Sequence, residues 1–239
     1  MCLSLTSSLN IKYVSLSEKV YGFGAKYGGI LRNCFQCGPK AEAKGVDGIQ
    51  EAYSAVFKSG LIMSKPSDLI EVIQVASKSA RSKQAEAKIF GKQSYTTLMI
   101  LTDGAVENIQ QTTQVLEKVA DSPLSIVIVG IGNADFTAMS FLDEVGGNGN
   151  GRDIVQFIRF NDHKTDKHSF TAAALEELPA QVVAYFQSHG IDPASSITVE
   201  EEDIVIEKEE EEIDISLDVD DKGEFAVSIN EAFVPPSGF

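Results

Sequence analysis

Cysteine and histidine are scarce in this chain of 239 residues, three of each, and the scarcity excludes whole classes of site. A structural zinc centre needs two Cys/His pairs brought close together. Cys34 and Cys37 have metal-like spacing within Asn33-Cys34-Phe35-Gln36-Cys37, but no second pair follows, and His163, His168 and His189 lie far downstream. The spacing is either a coincidence or the mark of a redox or weak metal role. No apolar stretch reaches membrane-spanning length, no secretory pattern opens at Met1, and no Asn-x-Ser/Thr triplet occurs. Together with the few cysteines, these absences predict a cytoplasmic protein. A basic excess is missing too, with 20 Lys and Arg against 35 Asp and Glu. Nucleic acid, which needs a basic footprint, is thereby excluded as a partner. No Ser-His-Asp or Cys-His arrangement for nucleophilic catalysis stands out, so the chain reads as a non-enzyme.

The negative charge is unevenly placed. Residues 195–239 hold 15 of the acids and 2 of the bases, so this stretch accounts for −13 of the formal −15. The body before it is nearly neutral. Glu200 to Asp221 mixes acids with β-branched pairs such as Ile204-Val205-Ile206. Alternation around Ile213, Ile215, Leu217 and Val219 fits a strand, and Asp220-Asp221-Lys222-Gly223 fits a turn into Phe225-Ala226-Val227-Ser228-Ile229. A solvated, disordered acidic tail fits the same composition. Asp214, Asp218, Asp220 and Asp221 suit loose calcium contacts at most, since the rest of an EF-hand loop is lacking.

The body is organised around Tyr95-Thr96-Thr97-Leu98-Met99-Ile100-Leu101-Thr102-Asp103-Gly104. Leu98 to Leu101 are adjacent and apolar, without the polar alternation of a half-exposed strand. That predicts a strand covered on both faces, as in a parallel sheet between helices. Asp103 then falls at the carboxyl end of the strand, where open α/β sheets bind ligands. Its carboxylate is a hard oxygen donor suited to Mg2+ or Ca2+. As an isolated residue it serves equally well as a cap for the next helix.

Other segments alternate around this strand. Val20 to Ala25 is a short strand entering a turn, and its Gly22-x-Gly24 lacks the third glycine and the acid of a dinucleotide loop. Gly45 to Ser59 carries a helical stripe, and Pro66-Ser67-Asp68 opens a second helix. Lys78 to Gln93, polar and lysine-rich, reads as the end of that helix and an exposed loop. Ile109 to Ala120 is amphipathic, and Pro123 to Gly132 is a second buried strand. A short helix over Thr137 to Leu142, a loop over Gly146 to Gly151 and a third strand over Arg152 to Phe160 follow. Phe170 to Ser188 is the last helix, kinked or divided at Pro179. The alternation predicts an α/β fold, a doubly wound and mostly parallel sheet.

Several runs, in order, resemble the carboxyl-terminal von Willebrand A-like domain of the copines. They are Tyr21-Gly22-Phe23-Gly24-Ala25, Gly48-Ile49-Gln50-Glu51-Ala52-Tyr53, Leu101-Thr102-Asp103-Gly104 and Ser125 through Phe136. Arg152-Asp153-Ile154-Val155-Gln156-Phe157 and Leu178-Pro179-Ala180-Gln181-Val182-Val183 continue the likeness. It spans residues 17–193, between an unassigned segment, 1–16, and the tail, 194–239. The resemblance implies a von Willebrand A/Rossmann-like fold with a metal-ion-dependent adhesion site made by three loops. Asp103 takes the aspartate position, and Ser67 falls near the position of a threonine. No Asp-x-Ser-x-Ser-like loop precedes Tyr21, so Mg2+ or Ca2+ would be held weakly by Asp103 and Ser67. The resemblance also implies that the domain is amino-terminally incomplete, its central first strand missing. A fragment of a longer chain is the preferred account; a substitute strand from residues 3–16 and a partner's strand are the other two.

The function implied is a protein-interaction module whose target the residues do not name. Copines carry two C2 domains that bind calcium and phospholipid, so membrane contact at the plasma membrane is implied only indirectly, through the family. The alternative is a calcium-responsive peripheral membrane protein. A ubiquitin-ligase relation, through plant ligases with a similar domain joined to a RING, is disfavoured because the Cys/His set is too small.

Overall fold

In a computed structural model the described residues are 2–10, 13–27, 29–64, 68–104, 106–148, 151–191, 214–219 and 225–230. The chain forms two compact units, Met1–Asp192 and Pro193–Phe239. The first begins with strands β1 (Cys2–Asn10), β2 (Tyr13–Gly22), β3 (Ala25–Tyr27), β4 (Ile30–Arg32) and β5 (Phe35–Gln36), followed by helix α1 (Gly45–Phe57) and β6 (Ile62–Met63). Then come α2 (Ile70–Ile89), β7 (Gln93–Thr102), α3 (Ile109–Val119), β8 (Leu124–Gly130), α4 (Thr137–Asn148) and β9 (Val155–Arg159). Short helices α5 (Phe160–His163), α6 (Lys167–Ala174) and α7 (Leu178–Ser188) close it. The second unit holds β10 (Asp214–Val219) paired antiparallel with β11 (Phe225–Asn230). The turn expected between them lies outside the described residues.

The main sheet has six strands in the order β5-β2-β1-β7-β8-β9. Only β7–β8 and β8–β9 are parallel; β5–β2, β2–β1 and β1–β7 are antiparallel. The sheet is therefore mixed, which corrects the expectation of a mostly parallel one. A second outcome concerns the place beside β7, for which the sequence offers a fragment of a longer chain as the preferred account and a substitute strand from residues 3–16 as an alternative. β1 fills it, with Cys2 opposite Ile100 and Leu9 opposite Gln93, so β7 has a backbone partner on each side. That follows from the demand for partners on the N–H and C=O groups along β7.

Side chains of β7 and β8 alternate between two layers of helix, as the pleat requires. Leu98, Ile100, Ile126 and Ile128 join Val72 and Ile73 of α2, Val115 and Leu116 of α3, and Met139 and Leu142 of α4. On the other face Val127, Val129 and Ile158 meet Ala174, with Met99, Leu101 and Phe170 half-buried beside them. All seven residues of β8 are buried. Each such aliphatic side chain removed from water contributes about 2 kcal/mol, so the β7–β8 pair anchors the unit.

Helix α2 extends through the segment expected to be loop. Ala76, Ala80 and Gln84 recur every fourth position on its buried face, while Lys78 and Lys88 are exposed and Lys83 is half-buried. Small and polar residues thus make up the inner stripe, which an apolar count misses. Gln84 is held by hydrogen bonds: its Oε1 accepts the Ser94 N–H at 2.6 Å and its Nε2 donates to Gln93 Oε1 at 2.5 Å. Helix α4 likewise runs to Asn148, past its expected end and into the expected glycine-rich loop. The last helix is divided as anticipated, with Pro179 in the first turn of α7, where its missing N–H costs nothing. Asp166 caps α6 by accepting the His168 and Ser169 N–H groups at 2.9 and 3.2 Å.

Candidate functional site

Asp103 follows β7 directly and is exposed. The strand end is fixed by Thr102, whose carbonyl accepts the Ile131 N–H at 2.8 Å, tying it to the loop after β8. Gly104 has φ +137°, and a Cβ there would stand 2.5 Å from Ala134 Cβ. Only glycine fits both the backbone conformation and the close approach of the two loops. Behind them, Phe136 packs into the core at 5.7 Å from the Phe157 ring, and a Cβ on Gly130 would stand 2.8 Å from Phe136 Cε1. The glycines of these two runs thus bring both loop ends to one crevice.

The start of α2 reaches the same end of the sheet. A helix of 20 residues spans about 30 Å and a strand of 10 about 33 Å, so a helix joined to β7 by a short turn starts level with the end of β7. Asp68 stands there, with Oδ2 accepting from Asn33 Nδ2 and Oδ1 from the Ile70 N–H, each at 3.1 Å. Ser67, the other expected ligand, lies outside the described residues. In the loop after β8, Asp135 Oδ1 accepts from Thr137 N at 2.9 Å and Thr137 Oγ1 at 2.6 Å. Those hydrogen bonds, the hydroxyl's first, hold its carboxyl below the ordinary value.

The strand beside β7 decides what the crevice lacks. Because β1 runs antiparallel to β7, its first residues lie at the Asp103 end and Asn10 lies at the other. The carboxyl end of that strand therefore lies away from Asp103. Among the described residues no three His, Cys, Asp or Glu side chains come together as a metal set. Asp68 and Asp135 serve their own helix starts, and among the described residues no pair of further acids, histidines or thiols joins Asp103. Mg2+ and Ca2+ take six or more oxygens, and the described donors do not fit that demand.

The two thiols of the Cys34/Cys37 pair part company. Cys34 packs against the core on the α2–α4 side, whereas Cys37 is buried with Val20 against α1. Burial pushes each thiol up to about 11, keeping it protonated at neutral pH. Strand β5 lies between them, and the spacing is not a shared ligand pair.

Two features escaped sequence reasoning. Arg152 Nη1 donates to Tyr95 Oη at 2.9 Å and Gln181 O at 3.0 Å, and Nη2 donates to Ser122 O at 2.8 Å and Leu124 O at 2.9 Å. Its guanidinium also lies over the Tyr95 and Tyr185 rings, at 5.8 and 5.5 Å. These partners are 28 to 57 positions away, so no local pattern announces them. Asp143 is the second. Burial and, after it, the nearby Glu177 raise its carboxyl to about 6, although Oδ1 accepts the Phe157 N–H at 3.1 Å.

A mixed α/β domain whose loops at the carboxyl ends of the parallel strands carry two exposed aspartates, Asp103 and Asp135, is the class defined so far. The family model for Copine matches residues 15–194. Copine-E of Dictyostelium discoideum is 37% identical over 184 residues, covering 73% of this chain and 31% of the relative. Copine-B of the same organism is 35% identical over 188 residues, covering 74% and 34%. Protein BONZAI 1 of Arabidopsis thaliana is 34% identical over 186 residues, covering 72% and 31%. The chain belongs to the copine family. It spans about a third of the length of the curated relatives it matches. No described helix is long and apolar enough to cross a membrane.

Proposed function

We propose that this chain is a non-catalytic protein-interaction module of the copine family, whose recognition does not depend on a tightly held metal. The observation that carries the proposal is the exposed carboxylate of Asp103 at the end of β7, which no set of three His, Cys, Asp or Glu side chains among the described residues turns into a closed ion site. A nucleophile would need a base held close and oriented by a third group. The two described Ser–His contacts, His163 Nδ1 to Ser169 Oγ at 2.7 Å and His189 Nδ1 to Ser188 Oγ at 3.2 Å, lie at exposed positions where water competes for the groups. On this reading Mg2+ or Ca2+ binds weakly at Asp103, and any membrane contact at the cytoplasmic face is indirect.

The test is affinity capture with the folded full chain in magnesium, calcium and chelator arms. A saturable protein partner recovered equally in all three, and equally by Asp103→Ala, is the expected result. Recovery of nothing above background removes the interaction reading. Capture only with metal removes metal independence, and ubiquitin transfer by the isolated chain removes the non-catalytic part.

A further inference from the structure

Away from Asp103, a small antiparallel sheet in the order β4-β3-β6 leaves both edge strands unpaired among the described residues. Its apolar side chains are unusually bare. Ile30, Leu31, Ile62 and Met63 are 40–68% exposed. Leu31 and Ile62 flank Lys26 directly, so the three share one face as an aliphatic–cation–aliphatic row. Two residues separate Tyr27 from Ile30, and such a hairpin is closed by a doubly hydrogen-bonded pair. Alternation along the ladder then turns the N–H and C=O of Leu31 outward from β3. Beside β4 runs a groove of about 520 Å³ lined by Arg32, Phe35, Pro39, Val56, Ser59 and Leu61.

The charge around this surface is opposite to that of the chain as a whole. Residues 19–65 contain 7 bases and 3 acids, within a chain of formal charge −15. Lys40 pairs with Glu51 at 4.0 Å. Lys26, Arg32 and Lys58 are exposed and form no ion pair among the described residues.

We propose that the outer edge of β4 and the adjoining groove dock an extended segment of a partner protein in which acidic and aliphatic residues alternate. The segment adds a strand to β4 through the Leu31 backbone, places its aliphatic side chains on the face of Leu31 and Ile62 and its carboxylates on the groove face, on Arg32 and Lys58. An extended peptide meets three features at once: an outward N–H and C=O, a concave groove and alternating cationic and apolar points. A flat anionic bilayer meets only the charge. The proposal rests on the interaction reading above and supplies its surface and partner chemistry.

The test uses the full chain and a fluorescein-labelled synthetic peptide of alternating glutamate and valine, read by fluorescence anisotropy. Binding is expected to weaken about tenfold in Arg32→Glu and to fall as salt screens the charges. Leu31→Pro, which removes only the outward N–H on an edge strand, is expected to abolish it, with circular dichroism confirming the fold. Arg32→Glu keeps the test decisive if that variant fails to fold. Equal binding by the variants, by a block isomer with all glutamates first, or by the lysine–valine counterpart overturns the proposal. So does capture of the chain by phosphatidylserine vesicles without peptide binding. A captured protein indifferent to both substitutions would leave the interaction module standing and remove this surface.

Discussion

The two ends of the β7–β8–β9 sheet are built on opposite principles. At the amino end Arg152 gathers three carbonyls and a tyrosine hydroxyl, and Tyr95 also hydrogen-bonds Ser125 Oγ at 2.9 Å. Around it, Ser122 Oγ contacts Ser77 Oγ at 2.8 Å and accepts from Arg81 Nε at 2.9 Å, and His189 lies 3.4 Å from Asp121. The carboxyl end instead brings two loops together by omitting side chains, at Gly104 and Gly130, and leaves Asp103 exposed. One end is held by satisfied polar groups and the other is kept clear. The lesson is that the arginine in the family-like Arg-Asp-Ile-Val-Gln-Phe run maintains the sheet, while the crevice gives up packing for access.

The comparison breaks most severely at Arg152. Arg152→Ala removes the guanidinium donor from the carbonyls of Ser122, Leu124 and Gln181, Ser122 keeping the Leu124 N–H at 2.7 Å, and is expected to cost about 3 kcal/mol in urea unfolding. Arg152→Lys is expected to recover less than half of that, since an ammonium cannot fork to four acceptors in one plane. A loss below about 0.5 kcal/mol would show that the hub is ornamental.

Gly104→Ala attacks the other end. It is expected to cost about 2 kcal/mol through its positive φ and the Ala134 contact. Adding Ala134→Gly should return about 1 kcal/mol, because the clash is relieved and the backbone strain remains. Full additivity of the two losses would place the cost elsewhere.

Asp143 sharpens the contrast through pH. Its ordinary value is 3.8 and its folded value about 6, so the native state binds its proton more tightly than the unfolded chain does. The stabilisation is complete below the unfolded value and disappears as pH rises through about 6. Since the group is only half-buried, solvent screening limits the effect to about 1 kcal/mol. Asp143→Asn keeps an oxygen for the Phe157 N–H, and should flatten this part of the pH profile and raise stability at pH about 7.5 by the same amount. An unchanged profile between the two values would refute the shift.

The smallest effect is expected at Asp103. Asp103→Asn should change stability by less than about 0.5 kcal/mol, as an exposed group without structural duties. Millimolar Mg2+ or Ca2+ should leave both proteins' melting temperatures alike. A closed site filled a thousandfold above its Kd would instead stabilise the wild type by about 4 kcal/mol.

Sequence alone determined the elements with their own local signature. The apolar runs at Leu98–Leu101 and Ile126–Val129, the helical stripes of α1 and α3, the break at Pro179 and the family likeness were all legible there. Helix α2 was only half legible, because its inner stripe is Ala76, Ala80 and Gln84 instead of leucines. The position of Asp103 at a strand end and the lack of an Asp-x-Ser-x-Ser-like loop to join it were legible too. Tertiary structure decided that β1 enters beside β7 in reverse, that Cys34 and Cys37 fall on opposite faces, and that Arg152 meets four acceptors distant in sequence. The physical reason is that hydrophobic spacing encodes which residues face inward, a property of each segment by itself. Strand direction and polar networks depend on backbone N–H and C=O groups that nearly every residue carries alike, so only the assembled neighbours can choose among them.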